Sequence, residues 1–342
     1  MGHMTRRSFV NTAALASGAA ALAGLAGCGT ASPNASSSGA MDDTEGTSGT
    51  SSVFTGKTPT VYFTHAIEPE ALQAVFDAIG TGLTGKIGVK LSTGEPGGDH
   101  YLKADLIADL VHAVDGTIVE CNTAYEGPRA TTEEHYQVAA DHGFTDIATF
   151  QIMDEDGSMS LPIEGKHHLS EDLVGAHFAD YDGFLVLSHF KGHMMAGFGG
   201  ALKNISIGMA SREGKFLIHS AGKTRTKWDS APTPQFLEAM ADASMAVIAA
   251  QPNMLFVNVM NNLSVDCDCD PSPAAPKMAD IGILASTDPV ALDQACVDLI
   301  YASDDDSADL IDRIESLDGQ YILEAAESIG VGSRTYELVE IG

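Results

Sequence analysis

The run 183–188, Gly-Phe-Leu-Val-Leu-Ser, limits most sharply what this chain can fold into. It is almost wholly apolar and shows no polar alternation, as expected of a strand buried on both faces. Such a strand needs helices on either side of its sheet. The rest of the chain supplies them. Short β-rich runs at 60–64, 86–91, 117–121, 254–259, 280–285 and 336–341 alternate with helical spacing at 69–79, 102–114, 132–142, 234–250, 288–301, 307–317 and 320–329. Asp288 followed by Pro289 is a good capped start for the helix at 288–301. The expected fold is α/β: a mainly parallel sheet with helices on both faces, in a single large domain or two packed halves. Ligands of such sheets bind at the carboxyl ends of strands, so the loops after strands are where chemistry is to be sought.

One loop stands out. Residues 188–204 follow the buried strand and place His189, Lys191, His193, Lys203 and Asn204 among glycines. Glycines let backbone amides approach an anion, and lysines add charge. His189, Lys191 and Lys203 are therefore candidate catalytic residues, with His189 the first choice of general base. Gly199, Gly200 and Asn204 are candidate contacts for a small anionic ligand. Lys90, Asn122 and Arg129 follow the two earlier strands and would line the same crevice. The competing explanation is a glycine-rich turn with solvated lysines.

The second segment is 261–270, which follows the strand at 254–259 and holds Cys267 and Cys269 among three aspartates. Two thiolates suit zinc, copper(I) or iron, the last also in iron–sulfur clusters, but cannot complete a four-coordinate site. His193, with His189 or His219 as alternatives, is the expected further ligand. A disulfide between the two cysteines, or two unconnected thiols, would satisfy the spacing as well. Cys121, Cys267, Cys269 and Cys296 are too few for a disulfide scaffold, and Cys296 reads as a small buried hydrophobe.

Several segments resemble the domain of unknown function 362 family, whose members are often described as iron–sulfur centre proteins. They are His189-Phe190-Lys191-Gly192-His193, Gly197-Phe198-Gly199-Gly200-Ala201-Leu202-Lys203-Asn204, Gly208-Met209-Ala210-Ser211-Arg212, Gly214-Lys215 with His219, Cys267-Asp268-Cys269, the stretch 280–293 and the stretch 330–338. Many relatives carry a ferredoxin module between the histidine-rich loop and the C-x-C segment. Residues 223–241 contain no cysteine, so the resemblance implies a core without ferredoxin clusters.

The N-terminus points to export. Arg6-Arg7 precedes a short Ala/Leu/Gly run that ends in Leu25-Ala26-Gly27-Cys28. This reads as a twin-arginine lipoprotein signal over 1–28, with 1–3 a cloning remnant and Cys28 the lipidated residue. A secretory signal with a chance cysteine is the alternative. Residues 29–57 are rich in Ser, Thr, Gly and Ala and read as a flexible tether, leaving 58–342 for the α/β domain. The expected place is the outer face of the cytoplasmic membrane, with the lipid the only membrane contact. A formal charge of −29 excludes nucleic acid as a partner. The expected function is an extracytoplasmic metal-centre protein, an enzyme or redox protein acting on a small anionic substrate. The alternative is a lipid-anchored ligand- or metal-binding protein without catalysis. A redox or transport partner fits either.

Overall fold

The computed structural model describes residues 57–80, 82–164 and 167–342. The expected signal, Cys28 and the tether up to residue 56 lie outside the described residues.

The strands run in chain order as β1 (Thr60–Thr64), β2 (Ile87–Lys90), β3 (Gly116–Glu120), β4 (Phe150–Ile152), β5 (Ser158–Pro162), β6 (Glu171–Gly175), β7 (Gly183–His189), β8 (Lys191–His193), β9 (Gly197–Gly199), β10 (Met254–Met260), β11 (Gly282–Ser286) and β12 (Glu337–Glu340). The helices are α1 (Pro69–Ala78), α2 (Ala104–Ala113), α3 (Thr132–Asp141), α4 (Phe144–Ile147), α5 (Ala201–Lys203), α6 (Arg212–His219), α7 (Thr233–Ala250), α8 (Pro289–Tyr301), α9 (Ala308–Ser316) and α10 (Tyr321–Ser328).

Eight strands form one sheet in the order β12-β1-β11-β10-β7-β2-β3-β4. Seven point the same way. Only β11 runs against its neighbours β1 and β10. The expected α/β architecture with a mainly parallel sheet is therefore present. All seven residues of β7 are buried, and its side chains divide between two cores. Phe184 and Val186 join one cluster with α7 and α8, including Phe236, Leu237, Leu292 and Val297. Leu185 and Leu187 join the other with α1 and α2, including Leu72, Val75, Ile107 and Leu110. Each such side chain contributes roughly 1.5–3 kcal/mol of transfer free energy. The period-two alternation is thus present, but both halves of it are apolar.

Local signals set the helix starts. The Asp288 carboxylate accepts from the Val290 and Ala291 amides and caps α8. Ser211 accepts from the Gly214 amide and caps α6. Among the described residues no helix is long and apolar enough to cross a membrane.

Residues 188–204, expected to be an irregular glycine-rich loop, are more ordered than that. β8 and β9 pair as a short antiparallel hairpin, with Lys191 opposite Gly199 and His193 opposite Gly197. The chain then enters α5 and a widened helical turn over Asn204–Gly208. Strands of three residues are too short to show periodicity in sequence.

Candidate functional site

The carboxyl ends of β2, β3, β7 and β10 open into a cavity of about 320 Å³. Its walls carry Lys90, Arg129, His189, Lys191, His193, Gly199, Gly200, Lys203, Asn204, Cys267 and Cys269. The loops expected to share one crevice therefore do so. Asn122 is not on the wall. It stands behind it, donating to Thr132 Oγ1 at 2.9 Å and facing His135 Nδ1 at 3.4 Å.

At the β2 and β3 ends, Lys90 is 1% exposed. Its Nζ donates to Asn204 Oδ1 at 3.0 Å and lies 3.7 Å from Glu120 Oε2. Burial lowers the Lys90 pKa, and the Glu120 charge opposes that shift. Burial would raise the Glu120 pKa. The Lys90 charge, the His135 hydrogen bond and Arg129 outweigh it and hold this carboxyl well below its usual range. Arg129 donates to Glu95 Oε1 at 2.8 Å and to Glu120 Oε1 at 3.2 Å. Two buried cations thus meet two buried carboxylates. Asn204 closes this end, because its Nδ2 donates to Leu187 O and Ser188 Oγ at 3.0 and 3.1 Å. Its amide is consumed in bracing β2 against β7.

At the β7 and β10 ends, Asp268 sits between His189 and Lys191. His189 Nδ1 is 2.8 Å from Asp268 Oδ1, and His189 Nε2 is 2.6 Å from the Asn261 carbonyl oxygen. Both ring nitrogens are thus engaged by oxygen atoms of the protein, and neither is free for the general-base role expected of the residue. Lys191 Nζ lies 3.0 Å from Asp268 Oδ2. Burial alone would raise the Asp268 pKa, but His189 and Lys191 outweigh it and hold the carboxyl ionised.

Two amines on the wall have no carboxylate partner among the described residues. One is Lys215 on α6, which donates to the Ala210 carbonyl oxygen at 2.5 Å. The other is Lys203, which makes no hydrogen bond or ion pair with any described residue. Burial and the neighbouring Lys191 charge push its pKa down to about 7. Its stem runs beside Gly199, where an added Cβ would lie 3.2 Å from Lys203 Cδ. Gly200 serves a different purpose from the one expected. An added Cβ there would lie 2.3 Å from Asp293 Oδ1. Asp293 instead occupies that space and accepts from the Ala201 and Leu202 amides at 2.8 and 3.0 Å. The amides expected to meet a bound anion are capped by the protein itself.

His193 is neutral. Burial, Lys203 and Lys191 hold its pKa well below the ordinary value. Its Nδ1 accepts from the Met195 and Ala196 amides at 3.2 and 3.0 Å, which leaves the ring proton on Nε2. Ligand atoms of His193, Cys267 and Cys269 lie within 4.8 Å of one another, so this group can hold a metal ion. In the structure the two sulfurs are joined as a disulfide. Two thiolate donors arise only when that bond is reduced. Ligation by His193 further requires its ring either to turn away from the two amides or to release the Nε2 proton to the pull of the cation. Cys121 and Cys296 are free and buried, Cys296 as expected.

Lys215 carried no assigned role in the sequence and His219 only that of an alternative metal ligand; both line the cavity, and His219 is not in the group that can hold a metal. The signal was there: they are four apart on α6 and so share one helix face. Glu95 and Glu120 were likewise present in loops of interest but could not be matched to Arg129 and Lys90 without the fold.

The family model described as a domain of unknown function (DUF362) matches residues 87–298. No curated protein matches the chain. Among solved structures, the chain is similar to lactate racemase apoprotein from Thermoanaerobacterium thermosaccharolyticum, at 12% identity and a TM-score of 0.42 over 70% of this chain and 56% of that one. It is also similar to a protein from Thermotoga maritima, at 12% identity and a TM-score of 0.38 over 76% of this chain and 58% of that one. The chain thus spans less than two thirds of the length of either.

Proposed function

We propose that this chain, which belongs to the domain of unknown function 362 family, binds a small anionic substrate in the cavity at the β2, β3, β7 and β10 ends and acts on it with a metal ion held by His193, Cys267 and Cys269. The observation that carries the reading is the pair of amines that have no carboxylate partner among the described residues. Glu120, Glu95 and Asp268 answer Lys90, Arg129 and Lys191. Among the described residues no carboxylate forms an ion pair with Lys203 or Lys215, in a protein whose formal charge is −29. Lining a cavity with spare cations is costly unless an anion completes it. Lys203 also takes over the base role expected of His189, since its amine is free and titrates near neutral pH.

The metal is iron or zinc, both of which suit two sulfurs and a nitrogen. When bound it supplies Lewis-acid or electron-transfer chemistry beside the anion. Loading would take place in the reducing cytoplasm, where Cys267 and Cys269 are thiols. A twin-arginine signal would then export the folded, loaded protein to a lipid anchor on Cys28. Loss of the metal outside the cell leaves the pair free to form the disulfide.

Elemental analysis tests the metal part. Protein purified under reducing conditions is expected to hold about one equivalent of iron or zinc, and the Cys267→Ser/Cys269→Ser variant none. Absence of metal from the reduced wild type, with or without added iron or zinc, overturns it. The binding-only alternative is separated by turnover: saturable anion binding with no product from any small carboxylate or phosphate would favour it.

A further inference from the structure

The anion site has a feature that simple charge recognition does not need: an amine aimed at nothing. Lys191 and Lys90 are fixed by carboxylates, and Lys215 is fixed by a backbone carbonyl. Among the described residues, Lys203 is the lysine of this wall left with no hydrogen-bond acceptor. Its stem runs beside Gly199, its side chain lines the cavity, and its amine makes no ion pair with any described residue. A lysine that only neutralises charge gains from a carboxylate neighbour. A lysine that attacks carbon is hindered by one, because an ion pair keeps the nitrogen protonated.

We infer that Lys203 Nζ captures the carbonyl carbon of a small 2-oxo carboxylate as an imine. The inference rests on the anion-binding reading and names its substrate class. Lys215, the other spare cation of the cavity, receives the carboxylate. The carbonyl group beside that carboxylate is then presented to Lys203. The nitrogen lone pair forms the new C–N bond, and the carbonyl π electrons pass to oxygen. The oxygen collects the two nitrogen-bound protons and departs as water. No oxidant or reductant enters. Burial and the Lys191 charge keep part of the amine neutral at neutral pH, which supports the attack. The iminium that follows on protonation draws electrons from the adjacent carbon and would labilise its bonds to hydrogen or carboxylate. A cavity of about 320 Å³ accommodates an acid of a few carbons.

The test is reductive trapping. The folded chain is incubated with pyruvate and sodium cyanoborohydride, digested and mapped by mass spectrometry. One adduct per chain is expected, on the peptide that carries Lys203. The Lys203→Arg variant, which keeps the positive charge, is expected to lose it, and Lys223→Arg, on the surface, to keep it. Adducts spread over many lysines, an adduct at a single other lysine, or no adduct would each overturn the inference. Wild-type peptide mapping alone decides the position, so the result stands even if Lys203→Arg fails to fold. Calorimetry with pyruvate on the same protein separates the two levels. Binding without trapping removes the imine and leaves the anion site. No binding by pyruvate, phosphate or any other small anion removes both.

Discussion

Asp172 offers a stability prediction that can be worked through from the structure. It lies on β6 with 0% exposure, and neither carboxylate oxygen meets a well-aligned donor. Burial pushes its pKa from 3.8 up to about 7, with the Leu173 amide and the Lys215 charge only partly opposing. The folded protein therefore holds a proton at Asp172 that the unfolded chain releases near pH 4. The stability this proton confers is fully present below the unfolded pKa and is lost as pH rises through about 7. A shift of about three units corresponds to about 4 kcal/mol across that window. Asp172→Asn removes the titration while keeping the shape. Its buried amide costs about 1–3 kcal/mol for unmet hydrogen bonds. The variant is thus expected to be less stable than wild type at pH 4 and equal or more stable at pH 8. The difference between the two proteins should move by about 4 kcal/mol in the variant's favour. Urea unfolding of both proteins from pH 4 to pH 8 measures it. Asp288 and Asp293, which burial raises to about 6, titrate in both proteins and cancel. Parallel stability curves for the two proteins would refute the reasoning, because they would mean that Asp172 is solvated or partnered.

Three further outcomes are expected. Glu120→Gln leaves the buried cations Lys90 and Arg129 short of a carboxylate and should cost about 3–5 kcal/mol in urea unfolding. A loss under about 1 kcal/mol would mean that water already screens the cluster. Gly192→Ala places a Cβ 2.3 Å from the Val265 carbonyl oxygen. It should destabilise by about 1–3 kcal/mol, and the metal content of reduced protein should fall as β8 is pushed from the 264–269 segment. Unchanged melting would show that the two loops are not tightly packed. The rate of pyruvate trapping should rise as pH passes through about 7, where the Lys203 amine loses its proton. A flat profile between pH 6 and pH 8 would contradict that assignment.

The parts of the fold legible in sequence were those with long, uniform patterns. β7 read as a doubly buried strand because the run 183–187 is apolar on both faces, and β10 read as a strand from its β-rich run. α8 announced itself through Asp288 and Pro289. β4, β8 and β9, with three residues each, carry no readable period. β5 has mixed burial, with Ser158, Ser160 and Pro162 exposed, and so resembles a loop. At the site, residue types pointed to the right chain segments, since charge, sulfur and glycine cluster there. Individual roles were set by long-range partners. The sequence separation between His189 and Asp268 is 79 residues, and between Lys90 and Asn204 it is 114. No local pattern could reveal that Asp293 would cap the amides after Gly200, or that Asp268 and Asn261 would occupy both nitrogens of His189. Nor could spacing decide between thiol and disulfide at Cys267 and Cys269.

The central claim is that the spare cations of the cavity await a small anion. Isothermal titration of phosphate and of small carboxylates into the wild type and into Lys203→Met and Lys215→Met variants tests it most directly. Saturable one-to-one binding of at least one anion, weakened at least tenfold in each variant, is the predicted result. Equal affinity in all three proteins, or no binding of any of these anions to the folded wild type, would contradict the account.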